Sequence, residues 1–354
     1  MKQYFLTHNI LKYITVTFSY FCLLGCSAKH ENTAMENGYA IVWQDEFDCK
    51  LKIDENDWNY ERGFRRNFEA QWYKSDNVNC HNGILEIEAK REVLANPFYD
   101  ASSDNWRKQR KQAFYTSGSI NTKGKHSWQY GRFEIRAKLP YGQGTWPAIW
   151  MLPTDYVYGG WAASGEIDIV EAANLKTPSD ADDAVEGELE SRIHGTLHFG
   201  EAWPNNVHSG AAYKLEQSKN PADAFHTYAL EWQEDEIRWY IDDIHYATQR
   251  KSGWYSKYLL DDKLVIGEGS APYNQKFHLI LNLAVGGAWA SKVNNKGIDK
   301  SIFPQALQVE FVRVYQCTLS LSSGKGCETI GNNPTLIAGH KLIIPEKGFA
   351  PKPV

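Results

Sequence analysis

The chain has 354 residues, 42% of them hydrophobic, enough to bury one large core. A formal charge of −5 offers nothing to a nucleic-acid backbone. The sequence contains no CxxC pair or other zinc-ligand spacing, so neither a nucleic-acid binder nor a zinc protein is expected.

In chain order, Lys2 and Lys12 precede an apolar run from about Tyr13 to Gly25. The run is short for a membrane span and suits the core of an export signal. It ends Leu23-Leu24-Gly25-Cys26, which resembles a bacterial lipobox. That resemblance implies removal of residues 1–26 up to a lipidated Cys26, a membrane anchor through the lipid, and, with Ser27 following, the outer membrane of a Gram-negative cell. Residues 27–38 then read as a polar tether.

From Ile41 to Gln316 the pattern is many short strands separated by turn signals. Leu85–Ala89, Phe133–Ala137, Ile237–Ile241 and Val309–Val314 alternate apolar and polar residues, and Asp242-Asp243 reads as a hairpin turn. No helical period lasts beyond a couple of turns. The expected fold is all-β: a jelly-roll sandwich of two curved antiparallel sheets, residues 39–317, with a C-terminal extension over 318–354. Cys49, Cys80, Cys317 and Cys327 remain in the exported chain and allow three disulfide connectivities. Cys49–Cys80 with Cys317–Cys327 is favoured, because the second pair is close in sequence. Val93–Gln112 and the acidic Leu175–Glu190 read as loop insertions.

Glu166-Ile167-Asp168-Ile169-Val170-Glu171 packs three acids among β-branched residues. A strand turns alternate side chains to opposite faces, so Glu166 and Asp168 share a face while Glu171 is one residue out of phase. One extra residue bulged near Ile169-Val170 restores the phase and sets all three acids on one surface. Four strand steps then separate the outer Cα atoms by about 13 Å. Two glutamates leaning together across a concave sheet could close this to the ~5–5.5 Å carboxyl gap of a retaining glycosidase, where an inverting enzyme needs roughly 6.5–9.5 Å to admit a water. The competing reading is a solvated acidic strand, but three like charges on one face repel.

The hexapeptide resembles the bulged signature of family 16 glycoside hydrolases, in the laminarinase-like endo-β-1,3-glucanase branch. Other blocks are similar to that family in the family's order: Trp43–Phe47, Asn82–Ile87, Tyr130–Glu134, Trp146–Leu152, His194–Gly200, Leu279–Gly287 and Val312–Gln316. The resemblance implies a concanavalin A-like sandwich with a concave cleft, Glu166 as nucleophile, Glu171 as acid/base and Asp168 tuning the pair. It implies sugar contacts from Asn67, Trp146, Trp150, Trp161, His198 and Trp289, and a structural role for His194. The 13 Trp and 20 Tyr agree, because flat amphipathic rings suit sugar faces.

The same resemblance implies no cofactor for catalysis and a structural calcium ion held by Glu46, Gly83 and Glu310, with Glu310 standing where an Asp is more usual. The expected partner is a β-1,3-glucan polysaccharide, or a mixed-linkage β-1,3-1,4-glucan, acted on by a monomer. A hydrolase of galactans or agars in the same family, and a surface glycan-binding lipoprotein without turnover, remain open at this point.

Overall fold

The computed structural model describes residues 37–342. The expected export segment 1–26 with Cys26, nearly all of the expected tether and residues 343–354 lie outside the described residues. No described helix is long and apolar enough to cross a membrane.

Two sheets account for the architecture. The outer sheet has nine strands, running from Thr335–Ile337 at one edge through Ile244–Arg250, Glu236–Ile241, His226–Trp232, Gly131–Lys138, Gln305–Cys317 and Ile84–Ala89 to Val78–His81; Tyr39–Asp45 also pairs with Gln305–Cys317. The inner sheet has seven, in the order Asn206–Lys214, Arg192–Gly200, Glu166–Glu171, Thr145–Pro153, Phe277–Val285, Ser119–Asn121 and Asn59–Tyr60. Strand pairing within both sheets is antiparallel except where Thr335–Ile337 lies parallel to Ile244–Arg250. This is the all-β jelly roll expected from the strand pattern. Asp242 and Asp243 make the predicted hairpin, both with positive φ (47° and 64°), a conformation that Asp tolerates better than branched residues.

The core lies between the sheets. Inward residues alternate along each strand: Ile149 and Met151, Ile167, Ile193 and Leu197, and Leu279, Leu281 and Leu283 join one cluster with Phe133, Leu230 and Trp239 of the outer sheet. The opposite face of the inner sheet carries a smaller cluster of Ala148, Trp150 and Ile280, with Leu152 against it. That second face is the floor of a cleft.

Cys49 bonds Cys80 and Cys317 bonds Cys327. Residues beyond Cys317 wrap along the outer sheet, where the Thr329 N–H donates to buried Glu231 at 3.1 Å. The Val93–Gln112 excursion folds back as a brace. Arg110 donates to the carbonyl oxygens of Phe68 and Glu69, and Arg107 to that of Arg65, fixing a loop that borders the cleft.

Candidate active site

Strand Glu166–Glu171 sits near the middle of the inner sheet, and its register shows the bulge. Against Thr145–Pro153, Val170 pairs with Ile149 but Asp168 pairs with Trp150, leaving Ile169 extra. Against Arg192–Gly200, Asp168 faces Thr196 and Glu171 faces His194, so Ile169 and Val170 together oppose Gly195. Ile167, Ile169 and Val170 are buried in the core while Glu166, Asp168 and Glu171 line the cleft. The bulge interrupts the ladder, and the Trp239 indole N–H, reaching across from the outer sheet, donates to the Asp168 carbonyl at 2.9 Å. Gly195 leaves room for that ring: a Cβ there would lie 2.4 Å from Trp239 Cδ1.

Each glutamate has its own indole donor. Trp161 Nε1–H donates to Glu166 Oε2 at 2.7 Å, and Trp146 Nε1–H donates to Glu171 Oε1 at 2.9 Å. His198 Nε2 lies 3.3 Å from Asp168 Oδ2 and 3.7 Å from Glu166 Oε1. Burial, then the charge of Asp168, pushes both Glu166 and Glu171 up to about 8. Burial pushes Asp168 to about 8 as well, while its hydrogen bond with Glu166 works in the opposite direction. Three carboxyls so close in a desolvated floor cannot all ionise, so at neutral pH the cluster holds protons that it can donate and carboxylate that can attack.

Glu166, Asp168 and His198 are the one grouping among the described residues with three candidate metal-ligand atoms, all within 4.8 Å of one another.

The expected sugar contacts converge on this floor. Trp146, Trp150, Trp161, His198, Trp289 and Asn67 all line the same cleft, a cavity of about 580 Å³. Trp150 N–H donates to Asn282 Oδ1 at 2.8 Å, and its ring lies beneath the Arg66 guanidinium, 5.0 Å from the centroid. Trp289 rides on a one-turn helix, Gly287–Ala290, and packs edge-on against Trp146 at 5.4 Å. Gly286 and Gly287 both have positive φ, and a Cβ on Gly287 would press within 3.0 Å of Glu69 Cγ.

Comparison with known proteins follows this geometry. Residues 64–292 match Glycosyl hydrolases family 16. The beta-glucanase of Rhodothermus marinus is 35% identical over 83% of this chain and 91% of its own length. The chain belongs to glycosyl hydrolases family 16. Glucan endo-1,3-beta-glucosidase A1 of Niallia circulans is 38% identical over 79% of this chain, which spans 38% of that longer relative. The laminarinase catalytic domain of Thermotoga maritima MSB8 superposes with a TM-score of 0.59 and 31% identity, covering 78% of this chain and 98% of that one.

His194, expected to be structural, lines the cleft, 5.1 Å edge-on from Trp289. It lies directly opposite Glu171, and burial depresses its pKa to about 4, so it stands there neutral. The residues expected to hold calcium are paired with arginines or set in a turn. Arg313 holds the Glu46 carboxylate at 2.7 and 2.9 Å, and Arg136 holds that of Glu310. Gly83 occupies a tight turn with Asn82, both at positive φ. Guanidinium groups already neutralise both carboxylates, so these residues as arranged do not fit a calcium ion.

Sequence reasoning missed Glu69, Arg66, Thr196 and Asn282, which also line the cleft. Alternation carried the signal for two of them: Thr196 lies between His194 and His198 on one face, and Asn282 pairs with Ala148 opposite Glu171. Glu69 is buried, accepts from Gln71 at 2.7 Å, and is pushed up chiefly by burial, partly offset by Arg66.

Proposed function

We propose that the protein is an endo-acting, retaining hydrolase of β-1,3-glucan of the laminarin type, accepting mixed-linkage β-1,3-1,4-glucan. The observation that carries this reading is the bulge, which turns Glu166 and Glu171 onto one cleft face with an indole donor on each. The names of the most similar relatives point to the same substrate class.

In this reading a glucan chain lies over Trp146 and Trp150. Glu171 donates its proton to the leaving glycosidic oxygen while Glu166 attacks the anomeric carbon, so that the C–O bond breaks and a glycosyl-enzyme ester forms. Glu171, now ionised, takes a proton from water as the water oxygen attacks the same carbon and frees Glu166. Asp168 works through Glu166: it shares a proton with it before the attack, and once Glu166 is esterified and neutral the repulsion between the two carboxyls is gone. No cofactor has a step in this sequence. The bulged laminarinase-like branch is part of the same proposal, as is export with anchoring at Cys26.

Product analysis on laminarin, lichenan and agarose tests the substrate assignment. Laminarin cut internally to short oligosaccharides, with agarose untouched, is the expected result. Release of galactose-containing products from agarose would overturn it.

A further inference from the structure

The cleft floor does not end at Trp150. Two pairs further along the same two strands, Leu152 pairs with His278, and these line a second cavity of about 510 Å³ that shares Arg66 with the catalytic one. Arg62, Arg65, Arg66 and Lys123 line it, opposed by Glu61 as the single acid. Glu61 accepts from both Arg65 and Arg66, so one carboxylate serves two guanidiniums. No ion-pair partner falls to Arg62 or Lys123 among the described residues, and Lys123 extends over the Tyr156 ring, 5.6 Å from its centroid. In a chain of net charge −5, this is a local excess of positive charge beside the catalytic floor.

Two buried polar atoms at this cavity have no hydrogen-bond partner among the described residues. His278 is 3% exposed, and its Nδ1 has no hydrogen-bond partner among the described residues. Arg66 Nη1 is likewise buried without a partner. A neutral imidazole with one N–H to give and a guanidinium with a free edge are both suited to an oxyanion. The opposite end of the cleft has the reverse charge. Asp180, Asp182, Asp183 and Glu190, with Arg192 as the one cation, line a cavity joined to the catalytic one through His194 and Trp289. An anionic group is therefore repelled from the Glu171 end and drawn toward Arg66.

We propose that this second cavity is an anion-binding subsite for a sulfate ester or carboxylate carried by the glycan, so that the preferred substrate is a charged rather than a plain β-glucan. The inference rests on the glucan reading above and narrows it.

The test measures calorimetric binding to the Glu166→Gln protein of laminarin oligosaccharides in three forms: unmodified, chemically sulfated, and oxidised to the carboxylate at C6. Sulfation or oxidation is expected to tighten binding about tenfold, a charge-assisted contact of ~1.4 kcal/mol. The larger of the two gains identifies the anion. Adding Arg62→Ala and Lys123→Ala together is expected to remove the gain while binding of unmodified laminarin stays within about twofold, because neither side chain lines the catalytic cavity. Equal affinity for charged and plain chains, or a gain that survives the double substitution, overturns the proposal. Failure of the wild-type protein to cleave unmodified laminarin counts against the glucan reading, and the binding comparison still decides the subsite.

Discussion

Trp146 Nε1–H donates to Glu171 Oε1 at 2.9 Å, and this bond favours the ionised glutamate where burial favours the protonated one. Trp161 does the same for Glu166 at 2.7 Å. Two tryptophans first marked as sugar-stacking rings thus also set the charge state of the acids. Removing each donor should move a different limb of the pH–rate profile. With the proposed roles, Trp161→Phe raises the Glu166 pKa and should shift the acidic limb of kcat/KM upward. Trp146→Phe raises the Glu171 pKa and should shift the basic limb upward, each by about one pH unit. Lost stacking alone lowers activity without moving either limb, so unmoved limbs in both variants would confine these rings to substrate contact.

Glu166→Ala and Glu171→Ala should each lower laminarin cleavage by about 10³-fold or more while circular dichroism stays that of the parent. Asp168→Asn should be less damaging, since that side chain acts through Glu166. Activity within about tenfold of wild type for either glutamate variant would remove that residue from the chemistry.

Stereochemistry offers an independent check. NMR of the first-formed reducing ends should show the β anomer ahead of mutarotation, as double displacement requires. An initial α product would mean that a water enters between the carboxyls and that Glu166 is a base.

The bulge has a structural cost that can be measured. Trp239→Phe deletes the N–H that satisfies the Asp168 carbonyl, leaving a buried acceptor orphaned, and should destabilise the fold by about 1–3 kcal/mol. Gly195→Ala places a methyl 2.4 Å from the same ring and should cost about 1–3 kcal/mol. Denaturant unfolding checks both. A neutral result for Gly195→Ala would mean that Trp239 has space to retreat, and with it the support of the bulge.

The acidic floor should also govern stability against pH. Glu166, Asp168 and Glu171 are raised to about 8 in the folded protein from 4.5, 3.8 and 4.5. Because the folded state binds their protons more tightly, their contribution is fully present below about pH 4 and is lost as pH rises through about 8. The melting temperature should fall across that window. Combined Glu166→Gln, Asp168→Asn and Glu171→Gln should flatten the fall and raise the melting temperature near pH 8. An unchanged slope would place the pH dependence elsewhere.

Local periodicity by itself determined much of this protein. Alternation in strands such as Ile237–Ile241 and Val309–Val314 specified an all-β sandwich, because period-two patterning and burial of one face are the same fact read twice. The phase error of Glu171 within its hexapeptide specified a bulge near Ile169-Val170, and Trp146 and Trp150, four apart, had to share a face. What the sequence left undecided lies in contacts between distant segments. Trp239 reaches from the other sheet to complete the bulge, and Arg136 and Arg313 neutralise the acids expected to hold calcium. His194, Arg66 and His278 take their roles from partners far along the chain, namely Trp289, Trp150 and Leu152. Periodicity reports which way a side chain points on its own strand. Which groups meet it there is decided by packing of the two sheets and their loops, and burial and charge at those meetings set the chemistry of the cleft.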